Sequence, residues 1–140
     1  MQSRKIVPFY RHSLGSDNDI SAVAGVLTST FLTSAGVGRA VEAQLCDYFG
    51  ASRAKLTNSW TNGALATLLA LDIGPGDEVI VPAMTFIATS KIVELLGSTP
   101  VFVDVEPGTL LIDLKKVAAA IGPKTRAVIP VHLYGQMVDV

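Results

Sequence analysis

From Ala54 onward the chain repeats one pattern: a short apolar strand, a turn, a helical stretch, and a glycine that ends it. Consecutive strands joined through helices run parallel, and the helices must pack on the sheet they connect. The pattern predicts strands at Ala54–Thr57, Glu78–Val81, Thr99–Val105 and Arg126–His132. It places helices at Thr61–Ile73, ended by Gly74-Pro75-Gly76, at Thr85–Leu96, ended by Gly97, and at Leu114–Ile121, capped by Asp113 and ended by Gly122. Val79-Ile80-Val81 is apolar at every position, which suits a strand covered on both sides. The expected fold class is therefore α/β, a mostly parallel sheet with helices on both faces.

Ahead of this alternation the reading is helical. Lys5–Tyr10 is apolar but broken by Pro8, and suits an extended arm. Ser16-Asp17-Asn18-Asp19 carries the residue types that start a helix, and Ile20, Val23, Ala24 and Leu27 share one face of a helix running to about Ser29. Thr33-Ser34-Ala35-Gly36 interrupts the pattern. A second helix, Val37–Phe49, follows with Val41, Leu45 and Phe49 in register and stops at Gly50. Residues 1–36 thus read as an N-terminal arm and first helix.

Composition narrows the function. Of the 140 residues, 49% are hydrophobic and 16% charged, with a formal net charge of −1, so the chain offers no basic field for nucleic acid. No apolar run is long enough to span a bilayer, and Met1–Lys5 does not open a signal peptide. A single cysteine, Cys46, beside Leu45 and Phe49, fits a packed thiol in a reducing, cytoplasmic setting.

Parallel sheets bind ligands beyond the carboxyl ends of their strands. Here those positions are Asn58–Asn62, Pro82–Thr85, Asp104, and His132 with Tyr134-Gly135-Gln136. The turn Asn58-Ser59-Trp60-Thr61-Asn62-Gly63 leads into a helix, whose first N–H groups and partial positive charge suit a phosphate. Thr61 adds a hydroxyl, and Gly63 would let a ligand oxygen approach. The plainer alternative is a helix capped by Ser59 or Thr61 with nothing bound.

These stretches, together with Pro82-Ala83-Met84-Thr85-Phe86-Ile87-Ala88-Thr89, Val131-His132-Leu133-Tyr134-Gly135, Gly74-x-Gly76-Asp77-Glu78-Val79-Ile80 and Pro100-Val101-Phe102-Val103-Asp104-Val105, resemble the DegT/DnrJ/EryC1/StrS family of sugar aminotransferases. The resemblance runs from about Val7 to the last residue. It implies the N-terminal part of the large domain of a fold-type-I transferase that uses pyridoxal 5′-phosphate (PLP). It further implies that Trp60, through its backbone N–H, and Thr61 hold the cofactor phosphate, and that Phe86 stacks on the pyridine ring. The family usually has a small residue where Trp60 stands, so the indole must point away from the phosphate. Thr33 and Ser34 match a family loop near the dimer's active site, as substrate-side candidates or a plain interhelix turn. His132 reads as a structural histidine, Asp104 as a structural hydrogen-bonding residue, and Asp77-Glu78 as a solvated turn.

Amino transfer needs a lysine to carry PLP and a carboxylate at the pyridine nitrogen. Lys5, Lys55, Lys91, Lys115, Lys116 and Lys124 fall outside the family's Schiff-base motif. The resemblance places that lysine beyond Val140, so the chain reads as an incomplete large domain, with later strands and a C-terminal small domain absent, inactive alone. In the full-length protein it implies amination of a nucleotide-linked keto-sugar, with glutamate as amino donor, in a homodimer serving polysaccharide or glycoconjugate synthesis. A keto-sugar dehydratase of the same family, and a non-catalytic protein that binds PLP or a partner, stand as alternatives.

Overall fold

A computed structural model describes residues 12–33 and 36–140, which divide into two compact units, 1–56 and 57–140. The predicted arm at Lys5–Tyr10 and the candidate Ser34 lie outside the described residues.

The first unit holds α1 (Asp17–Leu27) and α2 (Gly36–Phe49). Ser16 starts α1 by a reciprocal cap: its hydroxyl accepts the Asp19 N–H at 3.2 Å, and the Asp19 carboxylate accepts the Ser16 N–H at 3.1 Å. Hydrogen bonds from Ser16 and Gly15 hold the Asp19 carboxyl below its ordinary range. Neither helix buries a residue, and Ile20, Val23 and Leu27 are exposed. α2 ends as expected at Gly50, whose φ of +64° is open to glycine at little cost. The predicted strand at Ala54–Thr57 joins no ladder among the described residues. The Leu56 N–H is instead taken by the Glu42 carboxylate at 3.1 Å, and Lys55 pairs with the same side chain at 3.0 Å. Those contacts, the backbone bond foremost, lower the Glu42 pKa.

The second unit contains α3 (Trp60–Ala70), β1 (Glu78–Pro82), α4 (Ala88–Leu95), β2 (Thr99–Val103), α5 (Leu114–Ala120), β3 (Thr125–Val128) and a 3₁₀ turn, Leu133–Gly135. Its three strands pair in the order β2-β1-β3, all parallel. The α/β, parallel-sheet expectation is met. β1 is central, and its residues alternate between two apolar layers. Val79 and Val81 pack with Leu68 of α3 and with Ile92 and Val93 of α4. Ile80 faces the other way, into Val103, Leu111, Ile112, Val117 of α5, and Val138. Both faces of the strand are covered, as its unbroken apolar run demands.

Turn chemistry fixes the ends. Ser98, buried after α4, donates its hydroxyl to the Gly74 carbonyl at 2.6 Å, tying the Gly-Pro-Gly turn to the start of β2. Asp77 is not simply solvated: its carboxylate accepts the Gly74 N–H at 3.0 Å and closes the same turn. Asp113 caps α5 as expected, accepting from Lys115 and Lys116 N–H. β3 is shorter than predicted, and the chain past Ile129 leaves the ladder for the 3₁₀ turn. Among the described residues no helix is long and apolar enough to cross a membrane.

Candidate functional site

α3 begins on an occupied cap. The Ser59 hydroxyl accepts the Asn62 N–H at 3.2 Å, the Ser59 carbonyl accepts the Gly63 N–H at 3.0 Å, and the Asn58 and Asn62 side chains join at 2.7 Å. Cap and first helical bond together satisfy Asn62 and Gly63 but not the two residues before them. The backbone N–H groups of Trp60 and Thr61 make no hydrogen bond among the described residues. Two adjacent donors at the positive end of an 11-residue helix therefore stay open. The cap expected at Ser59 forms, and it leaves these two donors unbonded among the described residues.

Gly63 has a different role from the one expected. A Cβ there would meet the Thr57 hydroxyl at 2.9 Å, so the glycine makes room for Thr57. That hydroxyl donates to the Ser59 carbonyl at 2.9 Å, which shapes the turn entering α3.

Phe86 does not sit on a helix. α4 begins at Ala88 rather than Thr85, and residues 83–87 form a turn leaving the carboxyl end of β1. The Ala83 N–H still reaches the Val103 carbonyl at 2.8 Å, and the Thr85 and Thr89 hydroxyls join at 2.9 Å, which holds the turn open. Phe86 is 75% exposed and belongs to neither apolar layer.

Trp60 and Phe86 line one cleft of about 320 Å³, with Thr85, Thr89, and the 130–133 segment that follows β3. The cleft lies beyond the carboxyl ends of β1 and β3, as the parallel-sheet rule requires. Thr61 sits next to Trp60 on the helix but does not line the cleft. Thr33 belongs to the first unit, where it lines a hollow of about 600 Å³ whose walls carry hydroxyls but no charged side chain. That hollow offers less chemistry than the cleft.

The other polar candidates make hydrogen bonds within the fold. The His132 Nδ1 accepts the Val138 N–H at 3.0 Å. Asp104 accepts from Lys116 at 2.9 Å and from the Val105 N–H at 2.9 Å, and these bonds, that from Lys116 first, lower its pKa while the pairing raises that of Lys116. Lys116 is thus an ion-pair residue rather than a purely solvated one. Lys91 pairs with Glu94 at 2.6 Å, one turn along its own helix. Cys46 is half-buried. No cluster of three or more metal-ligating side chains occurs among the described residues. Sequence reasoning missed the Thr57–Gly63 fit and the Glu42 tie, neither of which has a local signal.

A sequence model of the DegT/DnrJ/EryC1/StrS aminotransferase family matches residues 14–140. Among solved structures, the proposed sugar aminotransferase Spr1654 from Streptococcus pneumoniae, in its PLP form, is 34% identical over 95% of this chain, with a TM-score of 0.89. DesV of S. venezuelae is 39% identical over 86% of the chain, with a TM-score of 0.81. NtdA of Bacillus subtilis, with bound cofactor PMP, is 36% identical over 89%, with a TM-score of 0.79. The chain spans about a third of the length of each, covering 34%, 32% and 29% respectively.

Proposed function

This chain belongs to the DegT/DnrJ/EryC1/StrS aminotransferase family, and from that premise we propose that it forms the N-terminal part of a PLP-dependent sugar aminotransferase, its cleft seating the cofactor. The observation that carries the reading is the convergence of Trp60 and Phe86 on one cleft, beside two open backbone donors at the start of α3. The residues fit the group: an exposed aromatic for a flat ring, and unpaired N–H groups for an anion.

PLP, when bound, supplies an electron-accepting ring through which an amino group and a proton can be moved. This chain's own residues bind and orient it. Phe86 gives the ring an apolar wall. The N–H groups of Trp60 and Thr61, with the Thr61 hydroxyl, hold the phosphate at the helix start. The Trp60 side chain, on the cleft wall, would shield the ring from water.

Among the described residues no lysine lines the cleft, and Lys55, Lys91 and Lys116 are each paired with a carboxylate. We place the cofactor lysine and the pyridine-nitrogen carboxylate in sequence following Val140, in keeping with relatives about three times as long. The full-length protein would aminate a nucleotide-linked keto-sugar with glutamate as donor, as a cytoplasmic homodimer serving polysaccharide or glycoconjugate synthesis. Thr33 and Ser34 remain proposed substrate-side residues.

The test uses the full-length protein and the fluorescence of Trp60, the one tryptophan of these 140 residues. A variant with every other tryptophan replaced isolates that signal. Addition of PLP should quench it saturably, and borohydride should then fix the cofactor to one lysine. Incubation with glutamate and a nucleotide-linked keto-sugar should yield the amino sugar, identified by mass. Absence of any saturable quench would refute the cleft as the seat. Loss of water from the sugar without gain of nitrogen would establish the dehydratase instead.

A further inference from the structure

The turn bordering the cleft holds a histidine in one orientation. His132 lines the cleft, and its Nδ1 accepts the Val138 N–H at 3.0 Å. Val138 is buried in the layer containing Ile80 and Val103, so the donor that fixes the imidazole is itself anchored in the core. A ring nitrogen that accepts a hydrogen bond carries no proton, so the neutral imidazole keeps its proton on Nε2. The turn is held from a second side: the Gln136 side-chain amide donates to the Thr109 carbonyl at 3.0 Å. Between these ties Tyr134 adopts a φ of +56°, a left-handed conformation that a side chain tolerates only when its surroundings impose it.

Polar groups on the cleft wall are few. The Thr85 and Thr89 hydroxyls are joined to each other, and no charged side chain lines the cleft. The Trp60 indole N–H and the His132 Nε2–H remain, and only the imidazole is oriented by a bond to the core. Its Nε2 makes no hydrogen bond among the described residues.

We propose that His132 contacts the ligand, its neutral imidazole donating Nε2–H to an oxygen acceptor of the cofactor seated in the cleft. The proposal rests on the reading of that cleft as the cofactor's seat. One nitrogen serves the fold and the other serves the ligand.

The experiment is nitrogen-15 NMR of histidine-labelled full-length protein titrated with PLP, with Trp60 fluorescence read on the same samples. The free protein should show His132 as the Nε2–H tautomer. Saturation should move the Nε2 resonance and leave Nδ1 in place. His132→Leu, which also identifies the signal, should raise the PLP dissociation constant about tenfold, the usual effect of one lost hydrogen bond to a charged or strongly polar partner. His132→Asn, which keeps an acceptor and a donor, should recover part of that loss. If Trp60 quenching saturates while the Nε2 resonance stays fixed, or moves only when sugar substrate is added, the proposal is overturned and the cleft assignment stands. If Trp60 is not quenched, the cleft assignment falls and takes the proposal with it. Should His132→Leu fail to fold for want of a Val138 partner, the titration of the unmodified protein decides alone.

Discussion

Thr57 and Gly63 illustrate a contact that neither residue announces. Alanine at a helix-interior glycine ordinarily gains about 1 kcal/mol of helix propensity. At Gly63 the new methyl would press on the Thr57 hydroxyl at 2.9 Å, so Gly63→Ala should lose that gain or reverse it. In a Thr57→Ala background the gain should return, and a double-mutant cycle of urea unfolding should show coupling of about 1 kcal/mol. Phe86 behaves in the opposite way. Being 75% exposed, it can be cut to alanine with little change in melting temperature. PLP affinity should nonetheless fall about three- to tenfold, the range for a lost aromatic stack. Asp104 gives a pH prediction. Its folded pKa is lowered, mainly by Lys116, so its stabilising contribution is present above the ordinary carboxylate pKa and is lost as pH falls through the lowered value. Asp104→Asn should flatten the acid side of a melting-temperature profile, and added salt should shrink the difference. Trp60 and Phe86 were legible from the family resemblance rather than from any local pattern, and the structure sets both on one cleft. Thr57 with Gly63, and Glu42 with Leu56, were not legible, because each depends on a fold-back that no periodicity encodes.

Boundaries of elements were read best where backbone chemistry forces them. Ser16, Gly50, Gly97 and Asp113 all act as their residue types require. Thr85-Phe86-Ile87 misled, since its spacing is helical while hydroxyl pairing and a continued ladder bond keep it a turn. Arg126–His132 misled in the same way: the apolar run continues, but Pro130 cannot donate to a ladder. Ala54–Thr57 has strand composition without a strand partner among the described residues. The central strand was legible throughout, and it supplies the sharpest stability prediction. Ile80 is fully buried in the layer opposite Val79 and Val81. Ile80→Ala should cost about 3 kcal/mol in denaturant unfolding, through lost burial and the cavity left behind.

The two units of the molecule differ in kind. Residues 57–140 pack two apolar layers around β1, whereas α1 and α2 bury no residue. Isolated helices of 11 and 14 residues are marginal in water. Amide hydrogen exchange on the 140-residue chain should therefore be slowest at Val79–Val81 and fast throughout α1 and α2. Equal protection in both units would contradict this. The amphipathic stripe of α1 was readable from sequence, but nothing local shows whether such a stripe will find cover. Its consequence is temporal. The ribosome makes residues 12–56 before the second unit, and at roughly 5–20 residues per second the 84 residues of that unit take on the order of ten seconds more. Through that interval Ile20, Val23 and Leu27 leave the exit tunnel with no core of their own to enter. An apolar stripe left without cover for that long is a natural client for chaperones that grip apolar segments.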